Sequence, residues 1–372
     1  MKKSAEEFSL HINHLYLENF RNYQQADIVW HPQINLLYGF NAQGKSNLLE
    51  AITYLSLTTS FRSVSEPELL AWQAPHFFLE GKICRNSGDI SISAAYNRTK
   101  NKRWRIDQQP CGKRSQIVGL FHTVIFSPED VDLVKAGPGL RRRFLNRQIS
   151  QLSPEYFSLL QRYNKVLAQR NGCLRQDKPS LETLEAFNQQ LVQLGAAILW
   201  RRRNILAELS PLTADLHQEL SGGEKLAMHY QCFNLAQEAS TEAELKAAFT
   251  EELQRLQKAE LARRITLVGP HRDDLEINID DNLAKRFASQ GQQRTVALAL
   301  KLAELQLAEQ KRGEAPVLLL DDVLSELDEK RRRQLLQKIG QQTQTFITST
   351  ERDLPLPAGQ VWYIEQGTIN KL

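Results

Sequence analysis

The feature that most constrains this chain is a glycine-containing octapeptide between two patterned segments. It reads Gly39-Phe40-Asn41-Ala42-Gln43-Gly44-Lys45-Ser46 and matches G-x-x-x-x-G-K-[ST] at every fixed position. An apolar run typical of a strand, 34–38, precedes it, and a run of helix-forming composition, 47–55, follows it. Glycines let successive backbone N–H groups curl toward an anion, and the helix N-terminus adds partial positive charge. The pattern predicts a phosphate-binding loop (P-loop) in an α/β fold.

The residues of the P-loop suggest the chemistry of its ligand. Lys45 is expected to reach the β- and γ-phosphates of a nucleotide, and the Ser46 hydroxyl is expected to hold Mg²⁺. A chance glycine turn before a helix is the alternative, and the fixed Lys-Ser pair argues against it. The predicted nucleotide contacts are Gly39, Phe40, Asn41, Ala42, Gln43, Gly44, Lys45, Ser46 and Asn47. Arg62 is a further candidate.

An acidic pair follows a second apolar segment near the end of the chain. The fully apolar run 317–320 has the composition of a buried parallel strand and ends at Asp321 and Asp322. Ligands of α/β folds bind at the carboxyl edge of the sheet, where this pair would lie. We predict that Asp321 holds Mg²⁺ and that Asp322 acts as general base or orients water, with Lys45 as the second catalytic residue.

Composition and periodicity indicate how the chain is organised. The 372 residues carry a net charge of +4 and no secretory or membrane-spanning apolar run, so we expect a cytoplasmic protein without membrane contact. Both ends look α/β, whereas the middle has helical spacing of apolar residues. We predict an ATPase lobe from 1–128 and 262–372, and an inserted, mainly helical lobe at 129–261.

Two serine-glycine segments compete for a second nucleotide motif, and here the chain resembles the ABC-type ATPases. In that family a serine-glycine turn opens a helix and presents it to the γ-phosphate held by a partner subunit. Ser221-Gly222-Gly223-Glu224-Lys225 has the letters familiar from transporters, but a poor helix follows it. The segment 289–294 precedes a strong helix and then the acidic strand. We therefore assign the signature to Ser289, Gly291 and Gln292.

Within the ABC-type ATPases the chain is similar to the RecF family, which is related to SMC proteins. The segments that carry this resemblance run through nearly the whole chain: 17–23, 39–52, 60–62, 126–130, 141–145, 269–274, 289–294 and 321–328. No long heptad region separates the two halves, unlike in SMC proteins. The resemblance implies an ABC-type ATPase head, a mixed sheet with flanking helices, with a second helical lobe and no long coiled coil.

The resemblance also implies a function. It predicts an ATP- and Mg²⁺-dependent DNA-binding protein of recombinational repair and replication restart, acting at gaps and junctions and supporting recombinase loading and SOS induction. Its expected partners are single-stranded and gapped or junction DNA, a second copy of the chain, and RecR- and RecO-type mediators. Asp322 stands where ABC proteins usually have Glu, and hydroxyls at 348–350 replace a histidine, so we expect weak, DNA-dependent ATP hydrolysis that controls dimerisation.

Two other functions remain as alternatives. An ATP-binding subunit of a membrane transporter would use the Ser221 segment as its signature, and it would carry a switch histidine. A P-loop kinase acting on a small molecule would need neither the Ser289 helix nor the acidic segment at 325–328. The transporter interpretation is disfavoured because hydroxyls at 348–350 replace its switch histidine. The kinase interpretation leaves the Ser289 helix and the segment 325–328 without a role.

Basic clusters are candidates for DNA contact, because Lys and Arg bind phosphates without reading sequence. They lie at 141–143, 201–203, 263–264 and 330–333. A solvated helix face is the alternative for each cluster. His271 and Arg272 also have two open interpretations, a place near the nucleotide or dimer interface and a buried structural role.

Overall fold

The computed structural model describes residues 10–62, 65–99, 101–339, 343–352, 354, 356 and 359–372. Its contacts divide the chain into two compact units. Unit 1 is formed by Met1–Asp130 and Leu300–Leu372, and unit 2 by Val131–Ala299.

The described residues of unit 1 form two six-stranded sheets. The antiparallel sheet has the order β2-β1-β4-β5-β6-β7, and the mixed sheet has the order β15-β14-β3-β13-β12-β8. The strands of the first sheet are β1 (His11–Phe20), β2 (Tyr23–Val29), β4 (His76–Cys84), β5 (Ile90–Asn97), β6 (Lys102–Ile106) and β7 (Gln109–Pro110). Those of the second are β3 (Ile34–Tyr38), β8 (Thr123–Phe126), β12 (Val317–Leu320), β13 (Thr345–Ser349), β14 (Gly359–Glu365) and β15 (Thr368–Lys371). The helices are α1 (Lys45–Leu57), α10 (Val323–Glu326) and α11 (Glu329–Lys338).

The core of unit 1 joins both sheets through α1. Alternating residues of β1 and β4, such as Leu17 and Leu79, belong to one buried cluster with Leu319 and Phe346 of the mixed sheet. Eleven of the thirteen residues of α1 are buried, so this helix packs as a central rather than a surface element. The parallel strands β3, β12 and β13 therefore end at the same edge, where α1 begins.

Unit 2 is mainly helical. Its helices are α2 (Asp132–Lys135), α3 (Pro138–Leu152), α4 (Pro154–Leu174), α5 (Leu181–Ser221), α6 (Asn234–Glu238), α7 (Glu242–Arg263) and α8 (Ala284–Phe287). A three-stranded antiparallel sheet, in the order β11-β10-β9, is made of β9 (Leu226–Gln231), β10 (Asp274–Ile279) and β11 (Asn282–Leu283). A further helix, α9 (Gln290–Arg312), contains the boundary between the two units.

The compact units differ from the predicted lobes at one boundary. The first division, after Asp130, lies close to the predicted 128/129, but the second lies after Ala299 rather than after residue 261. The reason is that β10 pairs along its length with β9, so the segment after Arg264 completes a sheet of unit 2. The assignment of 262–299 to an ATPase lobe stays a functional prediction, because compactness does not test it.

Most predicted elements match the structure, and the middle of the chain is helical, as its spacing of apolar residues indicated. Helix α5 continues through Pro211 to Ser221. Buried leucines on both sides of the proline, Leu209 and Leu216, hold the helix together despite the lost backbone hydrogen bond. In the described part of the chain, no helix has the length and apolarity needed to cross a membrane.

Candidate functional site

The predicted P-loop joins β3 to α1, as its sequence context indicated. Gly44 is the N-cap of α1 in the left-handed region (φ 115°), and the amides of Asn47 and Leu48 donate to its carbonyl at 3.0 and 3.3 Å. A glycine is required there for a second reason. A Cβ on Gly44 would lie 2.6 Å from the side chain of Asn22 and 2.9 Å from the Tyr23 hydroxyl. The loop thus depends on glycine for both backbone angle and space.

Lys45 occupies the interior of the P-loop. Its side chain is buried, and Nζ donates to the carbonyl oxygens of Gly39 at 2.7 Å and Phe40 at 2.9 Å. Burial lowers the pKa of this ammonium, while the charges of Asp322 and Asp321 oppose that shift. A buried cation bound only to neutral carbonyls is poised to exchange them for an anion. Such an arrangement suits a phosphate group.

The acidic pair lies beside the P-loop at the carboxyl edge of the mixed sheet. Ser46 Oγ donates to Asp321 Oδ1 at 2.6 Å, which joins the two predicted Mg²⁺ ligands directly. Burial raises the pKa of the Asp321 carboxyl, and the hydrogen bond from Ser46 opposes that shift. Asp322 follows in a left-handed conformation (φ 52°) as the N-cap residue of α10. Two adjacent acids, one buried beside a serine hydroxyl, fit a divalent cation by their oxygen chemistry.

Thr348 links the two aspartates. It lies on β13, the strand between β3 and β12, and its hydroxyl oxygen accepts the backbone N–H of Asp322 at 2.8 Å. The same hydroxyl lies 3.1 Å from Asp321 Oδ1 and 3.3 Å from Asp322 Oδ1. A hydroxyl has a single proton, so the two carboxylates compete for it. The sequence had indicated that hydroxyls stand in place of a histidine at 348–350, but not that Thr348 bridges both acids.

Side chains at the β1–β2 turn form a second set of contacts that hold the P-loop in place. The sequence did not predict this structural role. Asn22 Nδ2 donates to the Gln43 carbonyl at 2.9 Å, and the Tyr23 hydroxyl donates to the Gly44 carbonyl at 3.0 Å. Asn47 Nδ2 donates to Asn22 Oδ1 at 2.8 Å, and Arg62 Nη1 donates to Asn47 Oδ1 at 3.2 Å. The predicted contact residues Gln43 and Asn47 thus have protein partners that orient them.

An ion pair anchors the same turn to α1. Arg21 donates two hydrogen bonds of 2.7 Å to the carboxylate of Glu50, which is fully buried on α1. Ser60 Oγ also donates to Glu50. Arg21, Glu50 and Ser60 all belong to segments that carry the RecF resemblance. Membership in those segments was the one sign in the sequence that these three residues act together. The structure shows that these distant segments converge behind the P-loop.

The two candidate signature segments differ at the level of the helix. Ser289 caps α9: its Oγ accepts the amide of Gln292 at 3.2 Å, and its own amide donates to Gln292 Oε1 at 2.8 Å. This reciprocal pair is a capping box, which leaves the helix N-terminus ordered. Ser221 instead is the last residue of α5, and Gly222 (φ 84°) terminates that helix. The predicted position of Ser289 at a helix start is confirmed, whereas its contact with a nucleotide stays a prediction.

The basic clusters are only partly available to a ligand. Arg141 is buried and bonds both carboxylate oxygens of Asp274, at 2.7 and 2.9 Å. Arg202 is buried among Tyr156, Tyr230 and Asp273. The two arginines most buried in their clusters therefore stabilise unit 2. Among the remaining members, Arg143, Arg263, Arg264 and Arg333 are exposed.

Both ring nitrogens of His271 have hydrogen-bond partners within unit 2. Its Nδ1 accepts the Tyr163 hydroxyl at 2.6 Å, and Nε2 lies 3.3 Å from the Thr266 carbonyl. Its pKa is lowered to about 4, chiefly by burial; the hydrogen bond to the Thr266 carbonyl opposes this shift, and the charges of the nearby arginines add to it. Arg272 is exposed and donates to the same Thr266 carbonyl at 2.9 and 3.2 Å. Of the two interpretations left open by the sequence, this geometry favours a structural role for His271, whose side chain is half-buried.

Comparison with known proteins identifies the family. The RecF/RecN/SMC N-terminal domain family matches residues 11–365. The DNA replication and repair protein RecF of Halalkalibacterium halodurans is 37% identical over 370 residues, covering 97% of this chain and all of that protein. A solved structure of the recombination mediator protein RecF with ATP, in the RecFOR pathway, has a TM-score of 0.94 and 36% identity and covers 100% of both chains.

The Smc head domain of Pyrococcus furiosus matches with a TM-score of 0.55 and 14% identity, over 98% of this chain and 96% of that one. A likeness at that identity shows the fold alone, and it confirms the predicted ABC-type head. Family match, full-length identity and fold agree with the segments identified in the sequence. The chain belongs to the RecF family.

Proposed function

We propose that this chain is an ATP-binding DNA replication and repair protein that mediates recombination. One observation carries the proposal: Lys45, Ser46, Asp321, Thr348 and Asp322 form a continuous hydrogen-bonded and electrostatic cluster at one sheet edge. The RecF relatives supply the biological context, since their names assign them to replication and repair and one is solved with ATP.

Each residue of the cluster has a defined part in the proposed site. Lys45 exchanges the Gly39 and Phe40 carbonyls for β- and γ-phosphate oxygens, with the amides of the P-loop around them. Ser46 and Asp321 would hold Mg²⁺, which when bound neutralises developing phosphate charge. Asp322 orients the attacking water. An aspartate is shorter than a glutamate and no imidazole assists it, so hydrolysis is slow.

A second copy completes the site in this proposal. Ser289, Gly291 and Gln292 present the capped N-terminus of α9, with its partial positive charge, to the γ-phosphate bound by the partner copy. ATP then favours dimerisation, and hydrolysis releases it. The closed dimer holds single-stranded, gapped or junction DNA and works with RecR- and RecO-type mediators to load recombinase and support SOS induction.

The proposal is tested by the effect of ATP on stability and assembly. We expect ATP with Mg²⁺ to stabilise the wild-type chain by about 3 kcal/mol at one hundred times the dissociation constant, seen as a higher Tm. Lys45→Ala removes the buried cation and should abolish this shift. Sedimentation should show an ATP-dependent dimer for wild type and none for Lys45→Ala.

Ser289→Arg separates the two halves of the proposal. The variant should keep the ATP-dependent Tm shift and lose the dimer, whereas the matched variant Ser221→Arg should keep both. An ATP-dependent dimer that survives in Ser289→Arg and fails in Ser221→Arg would reverse the signature assignment. Absence of any ATP effect on wild-type stability, assembly or DNA binding would overturn the proposed function.

A further inference from the structure

One tryptophan of unit 1 is almost completely exposed. Trp72 has 92% of its surface accessible, more than any other large hydrophobic residue among those described. Trp30, Trp104 and Trp362 are buried, and Trp200 is half-buried. In the described part of the chain, the Trp72 indole packs against no other aromatic ring. Leaving an indole in water forgoes its burial free energy, but a single exposed hydrophobic residue does not identify an interaction site, so the residues around Trp72 decide what it can bind.

The exposed indole stands on an ordered turn. Ala71 N donates to the Asn19 carbonyl at 2.8 Å, and Ala74 N donates to the Ala71 carbonyl at 3.0 Å. Phe20 forms a β-bridge to Leu70 immediately before the turn. Because the turn starts from bonds to β1 and is closed by its own hydrogen bond, its backbone has little freedom to lose when a ligand binds Trp72.

Arg98 joins the Trp72 turn to the β5–β6 hairpin, which is rich in basic residues. Arg98 Nε donates to the Ala74 carbonyl at 2.8 Å, and its amide donates to the Pro75 carbonyl at 3.1 Å. Arg98 lies at the turn between β5 and β6. From residue 90 to residue 106 the chain has no Asp or Glu and five basic residues: Arg98, Lys100, Lys102, Arg103 and Arg105.

Two of these cations face away from the core. Trp104 is buried and stacks on Tyr54 of α1 at 5.2 Å. Side chains alternate along a strand, so Arg103 and Arg105 lie on the opposite, solvent-facing side of β6. Both are exposed, and within the described residues neither guanidinium has a hydrogen-bond or ion-pair partner. Lys102 is different, because it is paired with Glu66.

The combination of ring and charge points to one kind of ligand. Trp and Arg are also enriched at protein interfaces, so the exposed ring by itself does not identify the ligand. The charge of the hairpin favours a polyanion: it has no acidic residue from 90 to 106, and the exposed guanidiniums of Arg103 and Arg105 belong to the hairpin that Arg98 joins to the Trp72 turn. Single-stranded nucleic acid presents phosphates to cations and free base faces to aromatic rings. We infer that the Trp72 turn and the β5–β6 hairpin form a contact site for single-stranded DNA, with a base stacked on Trp72 and phosphates bound by Arg103 and Arg105. This inference rests on the proposed DNA-binding function and specifies a surface for it.

The test uses the full-length chain with ATP and Mg²⁺ and a labelled oligothymidine of about 16 nucleotides. We expect Trp72→Leu to weaken binding about tenfold and Trp72→Phe to weaken it less, because phenylalanine keeps a stacking face. Arg103→Gln with Arg105→Gln should weaken binding and reduce the salt slope by about 0.7 for each lost phosphate contact. All four substitutions are at exposed positions, so circular dichroism should show unchanged folding.

Intrinsic fluorescence provides the second measurement. Oligothymidine should quench part of the wild-type tryptophan emission, and that part should be absent in Trp72→Phe, whose remaining tryptophans are buried or half-buried. If Trp72→Leu binds oligothymidine as tightly as wild type, or quenching persists in Trp72→Phe, the inference is wrong. If wild type binds no DNA under any nucleotide condition, the proposed function itself fails.

Discussion

At the scale of single residues, Thr348 contributes most to the candidate site beyond its motifs. The P-loop and the acidic pair are recognisable from their letters, but the hydroxyl that joins Asp321 to Asp322 comes from a different strand. It satisfies a backbone N–H and faces both carboxylates. Thr348 therefore sets the orientation of the residues proposed to hold Mg²⁺ and water.

We predict that Thr348→Val slows single-turnover ATP hydrolysis by about tenfold or more, since an unsatisfied buried polar group costs about 1–3 kcal/mol. Valine has nearly the same shape but no hydroxyl, so the Asp322 amide loses its acceptor. Phosphate release measures the effect, and nucleotide affinity should change less than the rate. Thr348→Ser is the matched control and should hydrolyse ATP at close to the wild-type rate. Equal rates in Thr348→Val and wild type would exclude this role.

At the scale of elements, helix ends separate two segments that look alike as letters. Ser221 and Ser289 both precede glycine, yet Ser221 ends α5 and Ser289 begins α9. Helical composition after Arg294, and its absence after Lys225, were sufficient to make this distinction from sequence. The sequence did not predict where α5 ends. The buried leucines on both sides of Pro211 stabilise the helix only through packing against other helices, which a local pattern does not show.

We predict that Ser289→Ala destabilises the first turn of α9 by about 1 kcal/mol, the usual cost of losing an N-cap. Hydrogen exchange at Gln292 and Gln293 should accelerate, because the amide of Gln292 loses its acceptor. ATP-dependent dimerisation should weaken in the same variant. Ser289→Thr, which retains a capping hydroxyl, is the control. Unchanged exchange in Ser289→Ala would mean that the capping box does not order this helix end.

At the scale of the whole molecule, several charged side chains are buried inside unit 2. Arg170 bonds Glu260 at 2.6 Å, and Arg202 lies 3.6 Å from Asp273. His271 joins this polar interior in its neutral form, accepting from Tyr163 at one ring nitrogen and facing the Thr266 carbonyl with the other. Protonation would oblige Nδ1 to give up its acceptor role, in agreement with its low pKa.

The pKa of His271 leads to a prediction about stability and pH. Its folded value of about 4 lies below the unfolded value of about 6.5, so the unfolded chain gains a proton first as pH falls. This residue should therefore reduce stability progressively between those two pH values. His271→Gln keeps an acceptor for Tyr163 but cannot titrate, and it should show a smaller loss of stability on acidification.

Two measurements check this. Histidine NMR should show a ring signal, missing in His271→Gln, that titrates at a pH of about 4. Hydrogen exchange within α4 and α7 should report the pH-dependent loss in unit 2. A His271 signal that titrates near the ordinary histidine value would contradict a half-buried ring held in its neutral form.

The sequence by itself determined the family, and it predicted the chemistry of the candidate nucleotide site. The P-loop, the acidic strand end and the Ser289 helix start are local patterns, in which residue type and spacing specify backbone conformation directly. Only the tertiary structure decided which distant segments meet. It brought Arg21 and Ser60 to Glu50, placed Thr348 between the two acids, and buried Arg141 and Arg202 while leaving Trp72 in solvent. The physical reason is that burial and partnership depend on strand order and on packing between segments far apart in the chain, which no local pattern encodes.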